Sequence, residues 1–208
     1  MRFITTLPWA QLVVARYMHL IALHFESSPF SNDHQVRPVI DDIDFLRAFA
    51  DDSLGIDPPQ FFRQPALGRG GKLLIGRCSC GDVGCGPVLV DVAVADQRVS
   101  WQFGTERVYD FELQQYLECF ERASLNTTWE SVGRTAERLV SSIDFARLSE
   151  QGYRFEWAST RIARARVTLC FLKDGMQRLF GVEWDNRRAE DAEQQVRRWA
   201  THYAEPGV

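Results

Sequence analysis

Cysteine is the residue type whose spacing in this sequence most specifically implies chemistry. Cys78, Cys80 and Cys85 fall within eight positions, interleaved with Gly81, Gly84 and Gly86 and followed by Pro87. Glycine lets the backbone turn tightly and aim amide groups at sulfur, which a thiolate metal site requires. A structural zinc site uses four ligands and favours two-residue spacers between paired cysteines. Only three ligands are local here, so a fourth would come from Cys119, a histidine, or a carboxylate such as Asp82. The same residues also fit a reduced structural turn, or a redox or nucleophilic site, although acidic neighbours raise a thiol pKa instead of lowering it.

A second concentration of chemistry is acidic. Asp41, Asp42, Asp44, Asp51 and Asp52 crowd a short span whose only basic residue is Arg47. Such a patch can steer a basic protein partner, or it can be the solvated, acid-capped end of a helix. A basic counterpart, Arg161, Arg164 and Arg166 with Arg178 nearby, has Glu156 and Glu183 within reach as partners.

The familiar catalytic signatures are missing. Gly70-Gly71-Lys72 has Ala66 where a phosphate loop needs its first glycine and Leu73 where it needs Ser or Thr. There is no dinucleotide fingerprint, no His-Glu-x-x-His and no Gly-x-Ser-x-Gly. A Cys-His pair could be assembled only by the fold, since His19, His24, His34 and His202 lie far from the cysteine turn in sequence.

Two hairpins must position the cysteine turn and the arginines. Val88, Val90, Val92 and Val94 alternate with other residues, as do Val99, Trp101 and Phe103 after Asp96-Gln97. A two-residue turn there sets Val94 against Val99, Val92 against Trp101 and Val90 against Phe103, sorting both strands into an apolar and a polar face. Lys72 to Arg77 supplies a third strand through the cysteine turn. In the second hairpin Asp174-Gly175 is the favoured pair for a type I′ turn. It sets Leu169 against Phe180, Val167 against Val182, Ala165 against Trp184 and Arg166 against Glu183. Tyr153 to Ser159 reads as a neighbouring strand with Tyr153, Phe155 and Trp157 on one face.

Helices are expected over Pro8 to Phe25, Asp41 to Ser53, Phe111 to Ala123 with Asp110 as cap, Trp129 to Ile143 with Thr127 or Thr128 as cap, Asp144 to Gln151, and Asn186 to Tyr203. The expected fold is α+β: antiparallel meanders over about 72–103 and 153–184, each followed by a helix, after a helical N-terminal region. The organisation reads as 1–70 helical, 71–125 the cysteine-turn meander and helix, and 126–208 the helix, hairpin and C-terminal helix, which can join 71–125 in one domain.

The run Cys-x-Cys-Gly-x-x-Gly-Cys, followed by a valine-rich strand and the Val99-x-Trp101 strand, resembles a group of uncharacterised bacterial proteins over about residues 73–103. The resemblance implies a bacterial origin and no particular reaction.

Composition narrows the partners. The 208 residues are 45% hydrophobic and carry 24 basic against 28 acidic side chains, net charge -4. That leaves no positive excess for nucleic acid. An odd cysteine count and the absence of an apolar run long enough to span a bilayer imply a reducing, cytoplasmic setting. The leading expectation is a non-catalytic binding protein for another protein, of the toxin-neutralising immunity kind. The alternative is a zinc-supported domain of an enzyme, and a third is a Cys or carboxylate enzyme with a cleft joining Cys85 or Asp110 to a histidine.

Overall fold

The computed structural model describes residues 17–28, 33–50 and 53–203. The chain is mixed α+β and divides into two compact units, Met1–Leu125 and Asn126–Val208. Among the described residues, no helix is long and apolar enough to cross a membrane.

Among its described residues the first unit holds two antiparallel sheets. One is three-stranded, with β1 (Ile21–Ser27), β2 (His34–Ile40) and β3 (Ile43–Asp44) in that order. The other runs β4 (Leu54–Gly55), β5 (Gly71–Arg77), β6 (Val88–Ala95), β7 (Arg98–Phe103) and β8 (Arg107–Glu112). A bridge between Val36 and Ile56 links their neighbouring segments. The β6–β7 register is the expected one: Val94 pairs with Val99, Val92 with Trp101 and Asp91 with Gln102. Val90, Val92, Val99 and Trp101 are buried, and Tyr116 and Phe120 of helix α4 (Leu113–Leu125) cover them. The Trp101 indole donates to the Tyr116 hydroxyl at 3.2 Å, which satisfies the one polar group the buried indole brings with it.

The helical reading of the first seventy residues fails in two places. Of the expected helix Pro8 to Phe25, the residues up to Arg16 lie outside the described set, and Ile21 to Phe25 belong to strand β1. Ile21, Leu23 and Phe25 turn to the core while Ala22 and His24 are exposed, a period of two that pairing with β2 imposes. Asp41 to Ser53 is not one helix either. Asp41 and Asp42 both take positive φ, 49° and 65°, and make the tight β2–β3 turn. Aspartate tolerates this left-handed conformation, which is what a two-residue hairpin demands. Among the described residues of this span only Phe45–Phe49 (α1) is helical, capped by the Asp44 side chain, which accepts from the Arg47 amide. Short helices α2 (Pro58–Phe62) and α3 (Ala66–Arg69) follow. Phe45, Leu46, Ile56 and Phe61 share one core with the five-stranded sheet.

The second unit packs helices α5 (Val132–Ser141), α6 (Ala146–Glu150) and α7 (Ala189–His202) on a sheet of β9 (Arg154–Ala163), β10 (Arg166–Lys173) and β11 (Met176–Glu183). The β10–β11 register matches expectation throughout, with Leu169 on Phe180, Val167 on Val182 and Arg166 on Glu183. Asp174 and Gly175 have φ of 52° and 76°, as a type I′ turn needs. In β9 a register shift between Cys170 and Phe171 sets Phe155 opposite Phe171 but Trp157 opposite Cys170. Successive residues of β10 face opposite ways, so the bulge turns Trp157 away from the face that Tyr153 and Phe155 share.

Two expected caps are also replaced. Asp110 sits inside β8, and the Glu112 carboxylate takes its place by accepting from the Gln114 and Gln115 amides. Ser131, not Thr127 or Thr128, caps α5.

Candidate metal centre

The cysteine turn joins β5 to β6, and its conformation is set by one backbone hydrogen bond and by the Arg77 and Asp82 side chains. At the β5 end a register shift between Leu74 and Gly76 lets the chain approach the core closely. A Cβ on Gly76 would lie 2.8 Å from Leu46 Cδ2 and 3.1 Å from Val88 Cβ, so glycine is needed for this approach. Arg77, nearly buried, then reaches back over the turn. Its guanidinium donates to the Gly81 carbonyl at 3.2 Å and to the Asp33 carboxylate at 3.4 Å. The Gly81 amide donates to the Cys78 carbonyl at 2.9 Å with Gly81 at φ 89°, a left-handed turn that a side chain would strain. Asp82 accepts from the Gly84 amide at 2.8 Å and folds the second half of the loop.

The outcome is that the sulfurs of Cys78, Cys80 and Cys85 all lie within 4.8 Å of one another. Around a tetrahedral zinc, with Zn–S near 2.3 Å, thiolate sulfurs sit about 3.8 Å apart, so rotamer adjustments of about 1 Å close the set on an ion. Cys78 is half-buried and Cys80 and Cys85 are exposed, so the thiols do not serve as core packing. They also interact as acids. Hydrogen bonding from the Cys80 amide, then from the Cys80 and Cys85 thiols, favours the thiolate at Cys78 and lowers its pKa. At Cys85 the hydrogen bond to Cys78, then that to Cys80 and their negative charge, push the pKa up to about 11. A cation among the three sulfurs favours the ionised form of all of them, which is why metal binding at thiols releases protons.

Cys119 and Cys170, the remaining cysteines, are placed differently. The Cys119 thiol donates to the Ile21 carbonyl at 3.3 Å, and burial raises its pKa. Cys170 is fully buried in β10 and its pKa is also raised by burial. Neither joins the cluster, and nor does Asp82 or any histidine among the described residues.

The acidic group has dispersed into internal contacts. Asp41 accepts from the Leu20 amide at 2.8 Å and meets His19 Nδ1 at 2.6 Å. Burial alone would raise its pKa, but these hydrogen bonds outweigh that and hold it below the ordinary carboxylate value. Asp44 takes a two-pronged grip from Arg37, at 2.6 and 2.7 Å, besides capping α1. There too burial opposes, and the Arg37 and Arg47 hydrogen bonds prevail and lower the pKa. Asp42 is exposed, and Asp51 and Asp52 lie outside the described residues.

Sequence reasoning did not find the His19–Asp41 contact, in which Tyr17 and Tyr109 pack edge-on against the imidazole. Nor did it find the knot at Glu137. This buried carboxylate of α5 accepts from the Thr160 amide at 2.7 Å, from Arg134 at 2.8 Å and from Arg161 at 3.3 Å. Arg161 therefore belongs to the framework of the second unit, with Glu137 as a partner, while Glu156 pairs with Arg154.

Comparison with protein-family models, with curated proteins and with solved structures finds no match to this chain.

Proposed function

We propose that this protein is a metal-binding protein whose β5–β6 turn holds one zinc ion through Cys78, Cys80 and Cys85. The observation that carries the reading is the convergence of three sulfurs within 4.8 Å on an exposed loop whose conformation needs Gly81 and the Arg77 anchor. Two exposed thiols and a half-buried one gain little from packing, whereas thiolate sulfur is a preferred donor for zinc and other soft or borderline ions. The ion's role is to fix the connection between two core strands; the sequence supplies no catalytic set to attach to it. Protein-partner binding through the acidic group has less support, because Asp41 and Asp44 spend their carboxylates on His19 and Arg37.

Elemental analysis of the full chain, purified reduced and with zinc supplied, tests the proposal. We expect one zinc per chain, removal of it by a chelator with a drop in the melting temperature, and loss of uptake in Cys85→Ser and Cys80→Ser. Folded, fully reduced protein without stoichiometric zinc, and with a melting temperature indifferent to chelator, would refute it.

A further inference from the structure

The three sulfurs of the turn are not equivalent along the chain. Cys78 stands on the limb that leaves β5, and Cys85 on the limb that enters β6. These limbs touch: a Cβ built on Gly86 would lie 3.6 Å from Cys78 Cβ and 4.0 Å from Cys78 Cα. Cys80 shares the limb of Cys78, as the third residue of the four-residue turn that the Gly81 amide closes on the Cys78 carbonyl at 2.9 Å.

A disulfide needs Cα atoms about 4.4–6.8 Å apart and sulfurs that can rotate to bonding distance. Cys78 and Cys85 are suited to this, since their limbs are already in contact, their thiols are hydrogen-bonded and their sulfurs lie within 4.8 Å. A Cys78–Cys80 bridge would instead have to span Ser79 alone, inside the turn that Gly81 closes. Oxidants can also reach the pair, because Cys85 is exposed and Cys78 half-buried. Thiol oxidation follows exposure as well as thiolate character.

We infer that Cys78 and Cys85 form an oxidative modification site, which a hydroperoxide converts to a disulfide that closes the mouth of the turn. The Cys85 thiolate attacks a peroxide oxygen, the O–O bond breaks, and Cys85 becomes a sulfenic acid as hydroxide leaves. The Cys78 thiolate then attacks the Cys85 sulfur, the S–O bond breaks, and a second hydroxide leaves as the S–S bond forms. With hydrogen peroxide, the two thiolates give up two electrons and the two hydroxides take protons to become water. On the zinc reading above, on which this part alone rests, the ion loses two of its three thiolate donors and is released, with Cys80 left as a free thiol.

The full chain, loaded with zinc and freed of reductant, is titrated with hydrogen peroxide while a chromogenic chelator reports the metal. We expect about one zinc released per peroxide consumed, and uptake restored by dithiothreitol. Remaining thiols are trapped with iodoacetamide before digestion with trypsin and a protease that cuts before aspartate. Cleavage ahead of Asp82 separates Cys78 and Cys80 from Cys85. The expected product is a disulfide joining the two fragments, with the alkyl label on Cys80. The metal-free chain should give the same bridge, Cys80→Ser should retain it, and Cys85→Ser and Cys78→Ser should lose it while circular dichroism shows them folded. A bridge confined to the Cys78–Gly81 fragment, a label on Cys78, a bridge between two chains, or sulfinic acid without any bridge would overturn the inference and leave the metal centre standing. A chain that takes up no zinc yet forms the Cys78–Cys85 bridge would remove the metal centre and leave the oxidisable pair.

Discussion

The two clusters in the first unit that stand out in the sequence, three cysteines in the β5–β6 turn and the aspartates after β2, end in opposite conditions. Asp41 and Asp44 look inward, each to a basic side chain and a backbone amide of its own chain. The thiols of Cys78, Cys80 and Cys85 meet one another and stay at the surface. A cluster whose members are matched by complementary groups is already explained by folding. A cluster of identical acids brought together at the surface calls for something of opposite character, and for thiols that is a soft cation.

Experiments can break or sharpen this contrast. The largest effect is expected at Arg37, whose side chain is 7% exposed. Arg37→Ala leaves the Asp44 carboxylate facing an empty, mostly buried site and should cost about 3–5 kcal/mol in chemical denaturation of the first unit, with zinc uptake per folded molecule unchanged. A loss below about 1 kcal/mol would mean the aspartates are not internal structure after all.

At the cysteines the expectation reverses. Replacing all three by Ser should abolish zinc binding, yet change the stability of the metal-free protein by no more than about 0.5 kcal/mol, since exposed thiols contribute little packing. Strong destabilisation of that apo variant would instead make the turn a packing element.

Acid separates the clusters in another way. A carboxyl whose folded pKa lies below its unfolded value contributes stability above the unfolded value, and that contribution is lost as pH falls through the folded pKa. Asp41 and Asp44 are both of this kind. Stability of the metal-free protein should therefore decline as pH drops below the ordinary carboxylate range near 3.8, with a shallower decline in Asp44→Asn. Zinc affinity should respond to a different window, increasing with pH because the protons of thiols such as Cys85, near 11, must be displaced. An affinity indifferent to pH would exclude thiolate ligands.

The smallest effect belongs to Asp42. It is exposed and its φ is 65°, which asparagine adopts as readily. Asp42→Asn should be neutral to within about 0.5 kcal/mol for folding and silent for metal.

How much of this was legible beforehand follows from the range of each interaction. Both hairpin registers could be read from alternation and turn chemistry, because Val92 and Trp101, or Leu169 and Phe180, are fixed by a turn a few residues away. The proximity of the three cysteines was likewise local. Strand β1 did carry a signal, Ile21, Leu23 and Phe25 alternating with Ala22, His24 and Glu26, but the apolar residues before it extend a helical reading, and pairing with β2 decides for the extended form. The Asp41-Asp42 turn did carry a signal, two residues tolerant of positive φ between Ile40 and Ile43, but helix-capping chemistry uses the same residue type. The fate of the acidic group depended on His19, 22 positions away from Asp41, and no pattern in the sequence ties those two together. The reversal of Trp157 depended on a bulge, which leaves no mark on hydrophobic alternation.

X-ray absorption at the zinc edge of the full-length, reduced, zinc-loaded protein tests the central claim most directly. The account predicts three sulfur scatterers from the chain at about 2.3 Å from the ion. A shell of nitrogen and oxygen alone would contradict it, because the ion would then be bound somewhere other than Cys78, Cys80 and Cys85.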